Sequence, residues 1–180
     1  MNIPITSCFP SLIQLGKIMH YKKKTTLLTE GEICQHLFLV EKGVLRLWFN
    51  QAGNDISFQF FFEGQIATSY ESFRKNLPAL YNIETATEVR LRVISFNELQ
   101  QWIEQNNQVK AFIDDYILTR LYHYQALFIS RIKHSPQQRY EELLTGQPHI
   151  FDKIPHHYIA SYLGITPVSL SRIRQKTAKS

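Results

Sequence analysis

Along the first half of the chain, apolar and polar positions alternate with a period of two. Leu45, Leu47 and Phe49 alternate with Val44, Arg46 and Trp48, and Ile56, Phe58, Phe60 and Phe62 fall on one face of the next run. Leu37–Glu41 precedes them. Thr85–Ser95 follows as a closing strand, its Val89, Leu91 and Val93 alternating with Arg90 and Arg92. Gly31, Gly43, Gly53 and Gly64 recur every ten to twelve residues, the turn spacing of a small sandwich or barrel of short strands. The pattern predicts a β-roll, a double-stranded β-helix of jelly-roll type. Ahead of it lies only a short helical signal around Ser11–Gly16 and a charge run, Lys22–Lys24, that reads as a solvated edge.

The period then changes to that of a helix. Asn97 is positioned to cap Glu98–Ile103, and a longer helix runs from Asn107 to about Lys133. Its stripe of Ile113, Ile117, Leu121, Tyr124 and Phe128 steps by four, four, three and four residues. Phe112, Tyr116, Leu118, Tyr122, Leu127 and Ile129 add more apolar surface than one side of a roll would cover. This predicts a second copy of the chain packed on the helix through residues 107–131. Ser135, Pro136 and Gln138 then spell a capping box, opening a helix that ends near Thr145–Gly146. A domain boundary is placed at His134–Ser135, giving units 1–134 and 135–180, and an α+β class for the whole.

The last stretch reads as two short helices around one tight turn. Gly164 suits a left-handed residue, and Thr166 before Pro167 reads as an N-cap followed by the first helical position. Ile159, Ala160, Leu163, Ile165, Leu170 and Ile173 fall between the crossed helices, with Ala160 small at the closest approach. Thr166, Ser169, Ser171, Arg172, Arg174 and Lys176 are left for a partner. A helix-turn-helix offers such hydroxyl and cationic groups to a major groove. A helical hairpin that only packs on its own chain would share the glycine and the apolar seam.

Charge changes the balance between those two readings. The formal net charge is +5, and residues 131–180 carry eight Lys and Arg against three acids, while residues 1–130 hold twelve of each. No acid follows Asp152. This points to double-stranded DNA as partner. Hydrophobic residues at 44%, with 2 Trp, 9 Tyr and 12 Phe, exclude disorder. Cys8 and Cys34 are too few for a disulfide framework, a four-thiolate cluster or a zinc finger. No stretch approaches the ~20 apolar residues of a membrane span, so a soluble cytoplasmic protein without a membrane partner is expected.

The run Tyr158–Arg174 resembles the DNA-binding end of the Crp-Fnr family of bacterial transcription regulators. The resemblance implies that Ser171 and Arg172 contact bases and backbone. Val168 stands where many members carry a glutamate that reads cytosine, so the operator sequence does not carry over. Gly31-Glu32 and the run Leu37–Leu47 resemble the family's sensor, the cyclic-nucleotide-binding fold. The resemblance covers nearly the whole chain and implies a dimeric DNA-binding regulator, with RNA polymerase as a further partner. No β-wing is expected after the recognition helix, because the sequence ends a few residues beyond it.

In that family a cyclic nucleotide is held by a Gly-Glu pair and, after an insertion, an Arg-Ser pair. Counting back from the closing strand puts Thr68 and Ser69 at the first pair and Ala79 and Leu80 at the second. Cyclic AMP is therefore not expected to bind by the usual contacts, and no cofactor is implied. A pocket around Thr68, Ser69, Tyr70 and Tyr81 holds either an unidentified small-molecule effector or its own aromatics. Two other functional readings stay open: a dimeric sensor without DNA binding, and a metal-dependent β-roll enzyme. The enzyme would need two histidines and a carboxylate on adjacent strands. His36 stands alone in the roll, and no nucleophile with a base at readable spacing is present, so no enzyme is expected.

Overall fold

The computed structural model describes residues 12, 14–105 and 107–177, with backbone only for 107–109 and 112. Of the helical signal around Ser11–Gly16, residues 12 and 14–16 are described and Leu12 is buried; the side chain of Phe112 lies outside the described residues.

The alternating half folds into two antiparallel four-stranded sheets packed face to face. Strands β1 (Lys17–Tyr21), β8 (Val89–Ser95), β3 (His36–Lys42) and β6 (Ile66–Ala67) form one, in that spatial order. The other is β2 (Thr26–Leu28), β7 (Asn82–Thr85), β4 (Leu45–Gln51) and β5 (Asn54–Phe61). Leu39, Leu45, Leu47, Ile83, Leu91 and Ile94 fill the space between them, fully buried.

Two sequence readings of the strands need correction. Thr85–Ser95 is not one strand: the chain leaves one sheet at Thr85, crosses at Ala86–Glu88 and enters the other at Val89. Gly43 permits that crossing. It sits at φ +92°, and a Cβ there would lie 2.3 Å from the Glu88 carbonyl oxygen.

Ile56, Phe58, Phe60 and Phe62 also do not share a face. Between β4 and β5 the register jumps from Leu47↔Gln59 to Trp48↔Ser57, which leaves Phe58 as the extra residue of a β-bulge. One added residue reverses the alternation. Phe58 packs inward with its ring 5.1 Å from that of Tyr81, whereas Phe60 and Phe62 point out of the roll into a second apolar cluster.

The helix Phe96–Gln105 leads into the long helix Asn107–Lys133. The cap of the first is Ser95 and not Asn97. Ser95 Oγ accepts the Glu98 N–H at 3.3 Å, and the Glu98 carboxylate accepts the Ser95 N–H at 3.0 Å. The capping box at Ser135 and Gln138 is present as read, and starts the helix Pro136–Gly146. A short turn of helix at Ile150–Lys153 precedes the turn helix His156–Tyr162 and the last helix Pro167–Thr177.

These C-terminal helices pack on the roll itself. Val44, Phe60, Phe62 and Ala86 from the roll share one buried cluster with Tyr140, Leu143, Ile150, Tyr158, Ile159 and Leu163. Among the described residues the edge strand β5 has no strand on its outer side; the turn helix lies along it instead. Ser161 Oγ accepts the Ser57 N–H at 2.9 Å and donates to the Asp55 carbonyl at 3.0 Å. Arg46, buried on the same outer face, stacks 3.8 Å from the centre of the Tyr158 ring and pairs with Glu84 at 3.2 Å and Asp55 at 3.5 Å.

Candidate nucleic-acid interface

The turn between the two terminal helices is built from local chemistry. Gly164 takes φ +68°, and the Ile165 N–H closes back on the Ala160 carbonyl at 3.0 Å. Thr166 Oγ1 then accepts the Ser169 N–H at 3.1 Å, capping the last helix with Pro167 in its first turn. Ile159, Ala160, Leu163 and Leu170 are buried in the crossing, with Ile165 and Ile173 packed against them. The apolar seam lies where the sequence puts it.

The outward residues divide into two groups. Val168, Ser171, Arg172 and Gln175, spaced three, one and three apart, are exposed together and form the free face of the helix. Ser169 and Arg174 are drawn to the sides. Ser169 lies half-buried with its hydroxyl 3.0 Å from that of Thr166. The sequence sets Ser169 among the groups left for a partner, and the structure turns it aside from the face that carries Arg172. Arg174 donates from Nη1 to the His156 ring, 2.6 Å from Nε2, and Lys176 donates to Gln137 Oε1 at 3.3 Å. Gln175 escaped the sequence reading, although its spacing from Ser171 and Arg172 carried the signal.

Two tail cations prove to be structural. Arg131 donates to the Tyr162 carbonyl at 2.6 Å, and Arg139 to the Leu163 carbonyl at 2.9 Å. Both satisfy the orphan carbonyls at the end of the turn helix, where positive charge is favoured. Lys153 lies 3.5 Å from Glu63 of the roll. The basic excess of the tail therefore narrows to the last helix and its neighbours. His157 is held below its usual range, first by burial and then by Arg46, Lys24 and Lys23.

The second candidate site lies under the long helix. A cavity of about 640 Å³ opens between the roll and the two central helices, and Thr68, Tyr70 and Tyr81 line it. Ser69 does not. It is buried at the N-cap of the helix Tyr70–Lys75. Thr68 Oγ1 donates to the His36 carbonyl at 3.0 Å, and Tyr81 Oη donates to the Thr68 carbonyl at 3.3 Å. Burial pushes the Tyr81 hydroxyl up to about 12, so it stays a neutral donor. Among the described residues no group of three or more His, Cys, Asp and Glu is placed to hold a metal ion.

Residues 18–106 match the family of the cyclic nucleotide-binding domain. FixK2 from Bradyrhizobium japonicum superposes with a TM-score of 0.78 at 15% identity, over 92% of this chain and 85% of that one. A protein of Eubacterium rectale assigned to the Crp/Fnr family of transcriptional regulators gives 0.72 at 20% identity, over 96% and 88%. This chain has the Crp-Fnr fold, and its roll is a cyclic nucleotide-binding domain. CLP, the c-di-GMP responsive global regulator of Xanthomonas campestris, superposes at 0.71 with 15% identity, over 94% and 90%. No curated protein matches the sequence.

Within the cyclic nucleotide-binding domain, two of the four positions that the sequence reading sets at the nucleotide clamp are apolar. Ala79 is buried and pairs through its backbone with Glu32 and Gly31. Leu80 is 72% exposed. Neither side chain can donate a hydrogen bond to a phosphate. Arg74 is exposed on the helix Tyr70–Lys75, and Lys75 is engaged by Glu71 at 2.9 Å. No helix among the described residues is long and apolar enough to cross a membrane.

Proposed function

We infer that this protein is a dimeric, sequence-specific DNA-binding transcription regulator of the Crp-Fnr type. The observation that carries the reading is the exposed face of Val168, Ser171, Arg172 and Gln175 on a rigidly capped helix, projecting from a chain with the Crp-Fnr fold. Residues 135–180 serve as the DNA-binding unit, and residues 1–134 as sensor and dimer helix. Thr166, Ser169, Arg174 and Lys176 flank the reading face and meet the phosphate backbone, which positions a protein without specifying sequence. RNA polymerase is the natural recipient of the signal.

Dimerisation through the long helix rests on its free apolar stripe. Leu118, Leu121, Tyr122, Phe128, Ile129 and Ile132 are all exposed, Phe128 by 66% and Ile132 by 70%. Ile113, Ile117 and Tyr116 turn instead toward the roll. Tyr124, 38% exposed, reaches back to Arg120, so Leu121 and Phe128 are the members of the sequence-derived stripe that face a partner.

Selection from a random DNA pool tests the reading. The enriched site is expected to be near-palindromic, with half-site centres ~34 Å or a multiple apart. Absence of any enrichment, with scrambled DNA bound equally at every salt concentration, would refute it.

A further inference from the structure

The cavity under the long helix carries chemistry that a nucleotide clamp does not explain. Its walls are apolar, with Phe61, Ile66, Phe73, Leu99, Ile113 and Ile117 among them, and its volume of about 640 Å³ is that of a small-molecule site. Of the positions aligned with the nucleotide clamp, Thr68 lines it, while Ser69, Ala79 and Leu80 do not. The space is thus displaced from the clamp toward the helices.

Arg120 is its distinctive group. The guanidinium is half-buried, 4.9 Å from the Phe61 ring centre and 5.0 Å from that of Tyr124, and it donates to Tyr124 Oη at 3.3 Å. No carboxylate pairs with it among the described residues. The other charged groups that line the cavity, the acids Glu104 and Asp114 and the cations Arg74 and Lys110, are all exposed, so Arg120 is its one half-buried charge among the described residues. Aromatic faces steady a cation without neutralising it, and a partly desolvated charge favours a counter-ion. Tyr116 stands on the same wall. Its oxygen accepts the Ile66 N–H at 3.4 Å, which leaves its own proton to donate. Burial raises the Tyr116 hydroxyl, so it remains protonated at neutral pH.

The geometry points to a binding site for an apolar small molecule bearing one anionic group, such as a medium-chain or aromatic carboxylate, with its head on Arg120 and its body between the roll and the helices. The assignment rests on the reading of residues 1–134 as a sensor. It names an anchor on the long helix, in place of the nucleotide clamp. Arg120 lies on the same helix as Arg131, which holds the end of the turn helix, so occupancy bears on the element that carries the DNA-binding unit.

Anilinonaphthalene sulfonate, an apolar aromatic anion, serves as the fluorescent probe on the full chain, with no DNA present. Failure therefore separates from failure of the DNA-binding reading. Decanoate is expected to displace the probe at concentrations at which decanol and decylammonium do not, and cyclic AMP is expected not to displace it. Arg120→Met should weaken decanoate about tenfold or more, while Arg120→Lys keeps the preference for the anion. Ile117→Trp, which fills the cavity, should abolish displaceable binding in a protein whose melting curve is unchanged. Equal competition by decanoate and decanol would overturn the proposal. So would displacement by cyclic AMP, or unchanged decanoate affinity in Arg120→Met or Ile117→Trp.

Discussion

Arg172 and Arg174 stand two residues apart, about 200° around the last helix, so on the proposed reading they cannot both reach one groove floor. Arg172 is exposed on the free face of the helix, and Arg174 is held at the flank by His156. Arg172→Ala is therefore expected to cost ~1–3 kcal/mol at the preferred operator and to relax preference at one base pair. Arg174→Ala should weaken all sequences alike and lower the salt slope by about one. Binding to matched and scrambled operators across a salt series separates the two; equal losses on both DNAs would refute the assignment. Gly164, Thr166 and Leu170 were legible in the sequence because turn chemistry and helical spacing are local. The use of Arg131 and Arg139 was not, since the carbonyls they satisfy lie 31 and 24 residues away. Charge counted along a chain does not separate a cation facing phosphate from one facing its own backbone.

For elements, the long helix shows both the reach and the limit of periodicity. Its bounds agree with the sequence reading, and its excess of apolar residues is real. Which stripe faces outward is set by where the roll sits, and the observed free stripe is rotated from Ile113 and Ile117 toward Leu118, Ile129 and Ile132. Leu121 lies on the free side, 58% exposed, and makes the test. Leu121→Glu should give a monomer by light scattering at micromolar concentration where the parent chain gives a dimer, with the melting temperature of the isolated chain little changed. A parent chain that is itself monomeric there would count against the helix as an interface. The bulge at Phe58 was not legible: an inserted residue leaves no mark in an uninterrupted aromatic run, and only the pairing with Leu47 and Trp48 exposes it.

Across the whole molecule, stability carries a pH signature. His123 is held below its usual range by burial and then by Arg120; His157 likewise by burial, with Arg46, Lys24 and Lys23 beyond it. Folding thus favours the neutral rings. Between the lowered folded values and the unfolded value of about 6.5, the unfolded chain binds more protons. The contribution is full above about pH 6.5 and is lost as pH falls through the folded values. Melting temperature should therefore drop on acidification below that point, and His157→Gln should shallow the drop. An unchanged slope in the variant would exclude His157 as a source. The roll, the long helix and the helix-turn-helix were each legible as separate patterns; their joint packing was not, because no periodicity links Phe60 to Tyr162 across a hundred residues.

The bulge that turns Phe60 and Phe62 outward has an evolutionary corollary. A chain ending at His134 would leave Val44, Phe60, Phe62 and Ala86 uncovered, together with the outer edge of β5, and is expected to aggregate, whereas the full chain melts in one transition. A soluble, monodisperse fragment 1–134 on size-exclusion chromatography would refute this. The boundary read at His134–Ser135 follows a change of pattern along the chain, but one buried cluster spans it. Recombination that attached this roll to different helices would have to supply a new partner for those phenylalanines in the same event, so the roll and the helices that cover it are constrained to be inherited together.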